Sequence, residues 1–245
     1  MHTLPYFYLP PQAWGDEVLL EGQEAAHLRQ VLRVQEGARV ALLDGEGRSG
    51  CFLVEKAYKK EVRLRCESSE THPEPVSKPY IALALSKAVR RNFFMEKAVE
   101  LGASAILLWQ GDYSQGKIQP QLEETLIRQM IAGAKQSHNP WLPRIYLYPE
   151  GLGELLKATE DIHNRILPWE LHTSSDMLNL SHIGKEGKTL YVIGPEGGFS
   201  QSELDLLDAA NFVRVSLGPR VLRCETAAVL CLGLHWWAQH LSWAK

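Results

Sequence analysis

The chain has 245 residues, of which 45% are hydrophobic and 22% charged, a composition typical of a soluble globular protein. This length allows two modest domains or one large one. The formal net charge of −3 excludes a general attraction to nucleic acid, so any nucleic-acid site must be a local basic patch.

The four cysteines, at positions 51, 66, 224 and 231, show no C-x-x-C spacing. Neither a disulfide framework nor a zinc site is therefore expected, and no other metal-ligand cluster is visible in the sequence. The first residues lack the basic and apolar regions of a signal peptide, and no apolar run is long enough to cross a membrane. We therefore expect a cytoplasmic protein with no membrane or metal partner.

The first part of the chain predicts a small β-rich domain. A D-G-E-G turn at residues 44–47 favours a hairpin, and the polar, proline-containing stretch 68–78 is predicted to be a linker. The predicted strands are 6–9, 39–43, 51–57 and 61–66, with a helix at 23–33.

After this linker, apolar strands alternate with helices, which predicts an α/β fold with a parallel sheet. The predicted strands are 80–85, 105–109, 144–147, 165–169, 189–193 and 212–217. The predicted helices are 91–101, 121–136, 152–159, 201–210 and 226–243.

The last predicted helix is apolar over much of its circumference. Leu230, Leu234, Trp237 and Leu241 follow one another at i, i+4, i+7 and i+11, and Trp236 widens this stripe. A helix of this kind needs cover on more than one side. We favour a subunit interface; a fully buried central helix is the alternative.

A glycine-rich turn follows the strand that ends at residue 193. The sequence G-P-E-G-G at 194–198 leads into Ser200 and Glu203, which have the spacing of a helix capping box. Strand, glycine turn and helix start together point backbone N–H groups at a ligand. Alone, the pattern fits a simple tight turn equally well, and it matches neither a phosphate P-loop nor a dinucleotide fingerprint.

A second motif occupies residues 217–228, where Gly218 and Pro219 predict a turn and Arg220 and Arg223 add two cations. Glu225 follows at the start of the last helix, where it could simply complement the helix dipole. Loops at the carboxyl ends of neighbouring strands are, however, where open α/β sheets bind ligands.

Taken together, IGPEGGFSQSE and LGPRVLRCETA resemble the two C-terminal signatures of the RsmE-type methyltransferases of the SPOUT superfamily. Members of this family methylate N3 of a uridine in 16S ribosomal RNA and use S-adenosylmethionine (SAM). Upstream, HLRQVLR at 27–33, D-G-E-G at 44–47 and EKAVELG at 96–102 are also similar to the family.

The resemblance implies a PUA-like, RNA-binding β-barrel domain at 1–72 and a SPOUT domain with a trefoil knot at 73–245. It also implies a homodimer, with SAM bound in the knot. The residues expected to contact SAM are Leu167, Trp169, Gly194, Pro195, Glu196, Gly197, Gly198, Leu217, Leu222, Arg223, Glu225, Thr226 and Ala227.

Cys224, Asn139 and the segment 111–114 depart from the family pattern, which usually has Thr at the first position and Arg at or within the others. Lys87, Arg90 and Arg91 form the strongest basic cluster, just before a predicted helix. This cluster could contact RNA phosphates, and an ordinary solvated helix start is an equally good interpretation. The residues expected to contact RNA are Arg29, Arg33, Lys87, Arg90, Arg91 and Lys135.

The function implied by the resemblance is SAM-dependent methylation of uridine N3, with 16S rRNA or the small ribosomal subunit as partner. Arg223 is expected to stabilise negative charge on the uracil oxygens, and Glu225 to accept the N3 proton. Two alternatives stay open: a SPOUT enzyme that modifies another RNA site or atom, such as a ribose 2′-hydroxyl, and a non-catalytic RNA-binding or assembly factor.

Overall fold

The computed structural model describes residues 4–31, 33–169, 176–184 and 186–241, with only the backbone of residues 30 and 31. The chain forms two compact units. The first contains residues up to 74 together with 131–142, and the second contains 75–130 and the residues from 143 onward.

The first unit is built on a five-stranded sheet in the order β1-β3-β4-β5-β2, in which only the β1–β3 pair is parallel. Its core is apolar and includes the fully buried Phe7, Leu42 and Phe52. The strands are β1 (Tyr6–Tyr8), β2 (Glu17–Glu21), β3 (Arg39–Leu43), β4 (Arg48–Ala57) and β5 (Glu61–Thr71).

Three features of this unit differ from the sequence-based expectation. Strand β2 was not predicted, although Val18 and Leu20 alternate inward with exposed neighbours as a half-buried strand requires. The predicted helix 23–33 is α-helical only over α1 (Gly22–Ala26) and then becomes π-helical to Val31, while residue 32 lies outside the described residues. The linker is shorter than predicted, because β5 continues to Thr71 and the next strand begins at Ser77.

Residues 131–142 join the first unit through contacts that no sequence pattern indicates. Leu142 N donates to the Gly45 carbonyl at 2.9 Å, and the Tyr6 and His138 rings stack at 3.9 Å. Lys135 forms a 2.5 Å ion pair with Glu24.

The second unit is an entirely parallel six-stranded sheet in the order β11-β9-β10-β6-β7-β8. The predicted alternation of strands and helices, and with it the α/β fold class, is confirmed. The strands are β6 (Ser77–Ala84), β7 (Ala105–Trp109), β8 (Arg144–Tyr148), β9 (Asn164–Pro168), β10 (Gly187–Ile193) and β11 (Val213–Val215). The helices are α2 (Ala88–Glu100), α3 (Leu122–Ser137), α4 (Leu152–Ala158), α5 (Gln201–Ala209) and α6 (Cys224–His240). The part of α3 from residue 131 onward belongs to the first unit.

The central strands of this sheet, β6, β7 and β10, are largely buried on both faces. Every residue of β7 is buried, as expected for a continuous apolar run in a parallel sheet. Because all strands run in the same direction, their carboxyl ends share one edge, and the loops after β9, β10 and β11 emerge there together.

Helix α6 packs against α2, β6 and β10 with only one side. Ala228, Cys231, Leu232 and His235 are buried on that side. The other side carries the half-buried Leu230 and Leu234 and the 51% exposed Trp237, so the alternative of a fully buried central helix is wrong for this chain. The end of the predicted helix, residues 242–243, lies outside the described residues.

Candidate active site

A cavity of about 550 Å³ opens at the carboxyl edge of the parallel sheet. Its walls are the end of β9, the glycine loop (residues 194–198), the loop into α6 (residues 217–224) and one side chain of α2. The cavity thus lies where parallel sheets generally bind ligands.

The glycines of the glycine loop serve different purposes. Gly198 has a φ of +78° and lines the cavity, and a Cβ there would meet no atom within 4 Å. A side chain at this position would strain the backbone and project into open space. Gly197 instead faces the loop after β7, because its Cβ would lie 2.7 Å from the Tyr113 Cβ.

The predicted capping box at the start of α5 is confirmed. Ser200 Oγ accepts from the Glu203 N–H at 3.3 Å, and the Ser200 N–H donates to Glu203 Oε2 at 2.8 Å. The second Glu203 oxygen accepts from the Asp112 N–H at 2.9 Å. The buried Glu203 carboxylate therefore holds both the end of the glycine loop and the loop after β7 in place.

Arg90, on α2, connects the two loops that enclose the cavity. Its guanidinium forms an ion pair with Glu196 of the glycine loop, and its Nε lies 3.8 Å from Glu225 Oε1 at the start of α6. The other Glu225 oxygen accepts from the Cys224 thiol at 3.4 Å. Burial, followed by the Glu225 carboxylate, raises the pKa of that thiol and keeps it protonated.

Two further cations lie at the mouth of the cavity. Arg220 and Arg223 both line it, are exposed, and form no ion pair with any described residue. The cavity therefore has one neutralised arginine in its wall and two available ones at its entrance.

Part of the cavity wall is aromatic. Phe199 stacks on the buried Trp109 at 6.0 Å between ring centroids, and the Trp169 centroid lies 6.4 Å from that of Phe199. The Arg214 guanidinium lies 4.2 Å from the Trp169 ring centroid. This stack provides a rigid apolar surface of the kind that binds planar ligands.

Most residues that the sequence predicts as cofactor contacts do meet around this cavity. They are Trp169, Gly194, Pro195, Glu196, Gly198, Leu217, Leu222, Arg223 and Ala227. The others lie elsewhere: Leu167 is in the core, Gly197 faces Tyr113, Glu225 is buried behind the wall, and Thr226 is exposed on α6.

Sequence reasoning missed several residues of the cavity wall. Most of them belong to the same two motifs, so a wider reading of the motifs would have included them. Arg90 was predicted as an RNA contact, and nothing in its local sequence links it to the glycine loop. The missed residues are Pro168, Ile193, Phe199, Leu204, Gly218, Arg220, Val221 and Cys224.

The six residues predicted to contact RNA are divided between the two units. In the second unit, Lys87 is exposed, whereas Arg91 donates to the Ser86 carbonyl at 2.8 Å and burial lowers the pKa of its guanidinium. In the first unit, Arg29 donates to the Lys59 carbonyl, Lys135 pairs with Glu24, and Arg33 is exposed.

Two properties of the described residues bear on the expected partners. No group of three or more His, Cys, Asp or Glu side chains among them could hold a metal ion. None of the helices they form has the length and apolar character needed to cross a membrane.

Comparison with known proteins places this architecture in a family. Residues 72–236 match the model of the RNA methyltransferase domain, and residues 20–65 match that of the RNA methyltransferase PUA domain. The structure of a Legionella pneumophila methyltransferase in complex with SAM is similar, with a TM-score of 0.84 and 26% identity over 96% of this chain and 98% of that one.

Curated relatives give the same result. Ribosomal RNA small subunit methyltransferase E of Bacillus subtilis is 27% identical over 87% of this chain and 87% of its own length. The protein of that name from Mesomycoplasma hyopneumoniae is 30% identical over 74% of this chain and 77% of its own length. The chain therefore belongs to the ribosomal RNA small subunit methyltransferase E family.

Proposed function

We propose that this protein is a SAM-dependent methyltransferase that methylates N3 of a uridine in 16S rRNA of the small ribosomal subunit. The observation that carries the proposal is the cavity itself, enclosed by a glycine loop on one side and an arginine-bearing loop on the other. Its place at the carboxyl edge of a parallel sheet and the SAM-bound relative both support this assignment.

The lining of the cavity suits SAM. The open space at Gly198 leaves the backbone accessible, and Phe199 and Trp169 offer a flat surface to an adenine ring. The carboxylate of Glu196 lies in the wall, where it can face the positively charged part of the cofactor. When bound, SAM supplies a methyl group on a sulfonium.

The chain's own residues then have three tasks. Arg223, exposed at the mouth, stabilises the negative charge that develops on the uracil oxygens as N3 loses its proton. Glu225 is buried and does not line the cavity, so we assign it to positioning Arg90. Glu196 lines the cavity and is our proposed acceptor of the N3 proton, a role in which it gives up its ion pair with Arg90.

The target base must be unpaired or extruded, because N3 of a paired uridine is occupied. In the proposal, Lys87 and the predicted basic residues of the first unit contact RNA phosphates. Arg90 and Arg91 are less available for this role, since Arg90 is ion-paired in the cavity wall and Arg91 is half-buried.

The proposal includes a homodimer and the trefoil knot. The open apolar face of α6 supports the homodimer, because exposed tryptophans on a rigid helix favour association. The knot is supported by the match of residues 72–236 to the RNA methyltransferase domain, since the resemblance to the SPOUT superfamily implies it. We place the activity in the cytoplasm, where 16S rRNA is assembled into subunits.

The test is transfer of labelled methyl from SAM to 16S rRNA and to small subunits that lack the modification, followed by mapping of the product nucleoside. We expect 3-methyluridine at one position. A 2′-O-methyl nucleoside would replace the proposal with another SPOUT activity. Tight SAM-independent RNA binding without methyl transfer would favour an assembly factor.

A further inference from the structure

The loop after β7, residues 110–118, is exposed but held in one conformation; we call it the Tyr113 loop. The Gln110 side chain donates to the Gly116 carbonyl at 3.0 Å and accepts from the Ile118 N–H at 3.1 Å. Gly111 and Ser114 close a turn through two hydrogen bonds of 3.0 Å. Side-chain hydrogen bonds, and not a core of its own, therefore fix this loop.

A second set of contacts fastens the Tyr113 loop to the candidate active site. Ser200 Oγ donates to Asp112 Oδ2 at 2.5 Å, and Glu203 accepts from the Asp112 N–H at 2.9 Å. Gly197 of the glycine loop packs against the Tyr113 Cβ so closely that no side chain fits between them. These contacts fix the two loops against each other, so a ligand of the Tyr113 loop is held beside the cavity.

The loop presents an aromatic ring and a cation to solvent. Tyr113 is 55% exposed despite its fixed backbone. Lys117 is exposed and forms no ion pair with any described residue, whereas the Asp112 carboxylate is already engaged by Ser200. An exposed aromatic ring and an unpaired cation on one loop are the combination that binds unpaired nucleotides, since the ring stacks on a base and the cation contacts a phosphate.

We propose that the Tyr113 loop binds the RNA substrate, with Tyr113 stacking on an unpaired base at the methylation site and Lys117 contacting a phosphate. This inference rests on the proposed function, because it takes RNA as the substrate. It adds a recognition element that none of the predicted RNA contacts includes. It also explains Gly197, because the absence of a side chain there lets the Tyr113 loop lie directly against the glycine loop.

The decisive variant is Tyr113→Ala, which removes the ring but keeps the Cβ that packs against Gly197. We expect the KM for RNA to rise about 5- to 150-fold, the range that stacking on one base supplies. The Kd for SAM, measured by calorimetry, and the melting temperature should stay at wild-type values. Tyr113→Phe and Tyr113→Trp should restore the KM, because both keep a stacking ring.

Matched controls are available in the same unit. Tyr146, on β8, is 39% exposed and lies in none of the proposed machinery, so Tyr146→Ala should leave the KM unchanged. Lys117→Ala should weaken RNA binding and reduce its salt dependence by about one charge, whereas the exposed Lys157→Ala should not.

Three results would overturn the inference. If Tyr113→Ala left the KM for RNA unchanged, as Tyr146→Ala should, the ring would not contact RNA. If it lowered SAM affinity and the melting temperature together, the ring would be structural. Failure of Phe and Trp to rescue would also exclude stacking. Failure of the proposed function would look different, because the wild-type protein itself would then transfer no methyl group to 16S rRNA.

Discussion

The candidate cavity and the open face of α6 lie at opposite ends of one helix and are built in contrasting ways. In the cavity wall, charges are paired within the chain: Arg90 meets Glu196 and Glu225. At the far end, Trp237 and Leu241 face solvent, and no described residue covers them. The contrast is between a concave, charged wall built by several elements of one chain and an apolar helix surface exposed to solvent.

Gly198→Val is expected to have the largest effect on ligand binding in the cavity. A branched side chain at a φ of +78° strains the backbone, and the side chain would fill open space in the cavity. We expect SAM affinity to fall by at least about 100-fold while the circular dichroism spectrum stays that of a folded protein. Isothermal titration calorimetry measures the first quantity.

Gly187→Val is the matched control. Gly187 has a φ of +75° and open space around its Cβ, but it lies at the start of β10, away from the cavity. Its variant should lose a similar amount of stability and keep SAM binding. Unchanged SAM binding in Gly198→Val would place the cofactor elsewhere.

Replacing both Leu234 and Trp237 with Glu disrupts the apolar surface at the far end of α6. Desolvating unpaired charges at an apolar interface should weaken a dimer on the order of 100-fold or more, as measured by sedimentation. Because the same helix begins at Cys224 in the cavity wall, SAM binding should weaken too and methyl transfer should be lost. Leu206→Glu, on the exposed side of α5, adds charge at another apolar surface position and should change neither the sedimentation behaviour nor methyl transfer.

A wild-type protein that sediments as a monomer at micromolar concentration and still methylates at full rate would contradict this prediction. The two ends of the helix would then be independent, and the open face would need another explanation.

The two ends also differ in how far the sequence predicted them. The cavity could be found because its glycines and arginines occur in two short stretches with recognisable spacing. The apolar stripe of α6 was also visible, but which side packs on the sheet depends on the tertiary fold: His235 is buried, while neighbouring Trp236 is not. A periodic pattern shows that a helix is apolar; it does not show which face stays open.

Long-range contacts explain the other misses. Trp141 and Leu142 return to the turn at residues 44–47 of the first unit, a contact made by residues nearly a hundred positions apart. Arg90 precedes Glu196 by 106 positions, so its local sequence suggests only a basic helix entrance. The Tyr113 loop depends on side-chain hydrogen bonds, which carry no periodic signal.

Comparing Arg90→Ala with Lys87→Ala tests which residues serve the cavity and which bind RNA. Removing Arg90 leaves Glu196 and Glu225 without their shared partner, so SAM affinity should fall about 10-fold while the salt dependence of RNA binding is kept. Removing Lys87 should leave SAM affinity unchanged and reduce the salt dependence of RNA binding by about one charge. Identical profiles for the two variants would contradict the division of roles.

A different kind of effect, on stability and not on ligand binding, is expected from His235, which lies on the buried side of α6 between the two ends. Its Nε2 lies 2.9 Å from Ser77 Oγ and its Nδ1 lies 3.0 Å from the Tyr191 hydroxyl. Since Ser77 Oγ donates to the Gly184 carbonyl, it accepts from Nε2–H, and the Tyr191 hydroxyl donates to Nδ1. The neutral imidazole is therefore satisfied on both sides.

Burial lowers the pKa of His235 to about 4, from an ordinary value of 6.5. Below pH 6.5 the unfolded chain takes up a proton at this residue that the folded chain does not, so stability falls as the pH drops from about 6.5 to about 4 and then levels off. The loss between pH 7.5 and 4.5 should be about 2 to 3 kcal/mol. In urea unfolding, His235→Gln should lack this part of the pH dependence, while the exposed His163→Gln should keep it. Equal pH profiles for wild type and His235→Gln would mean that this histidine is protonated inside the folded protein, and that the helix joining cavity and open face tolerates a buried charge.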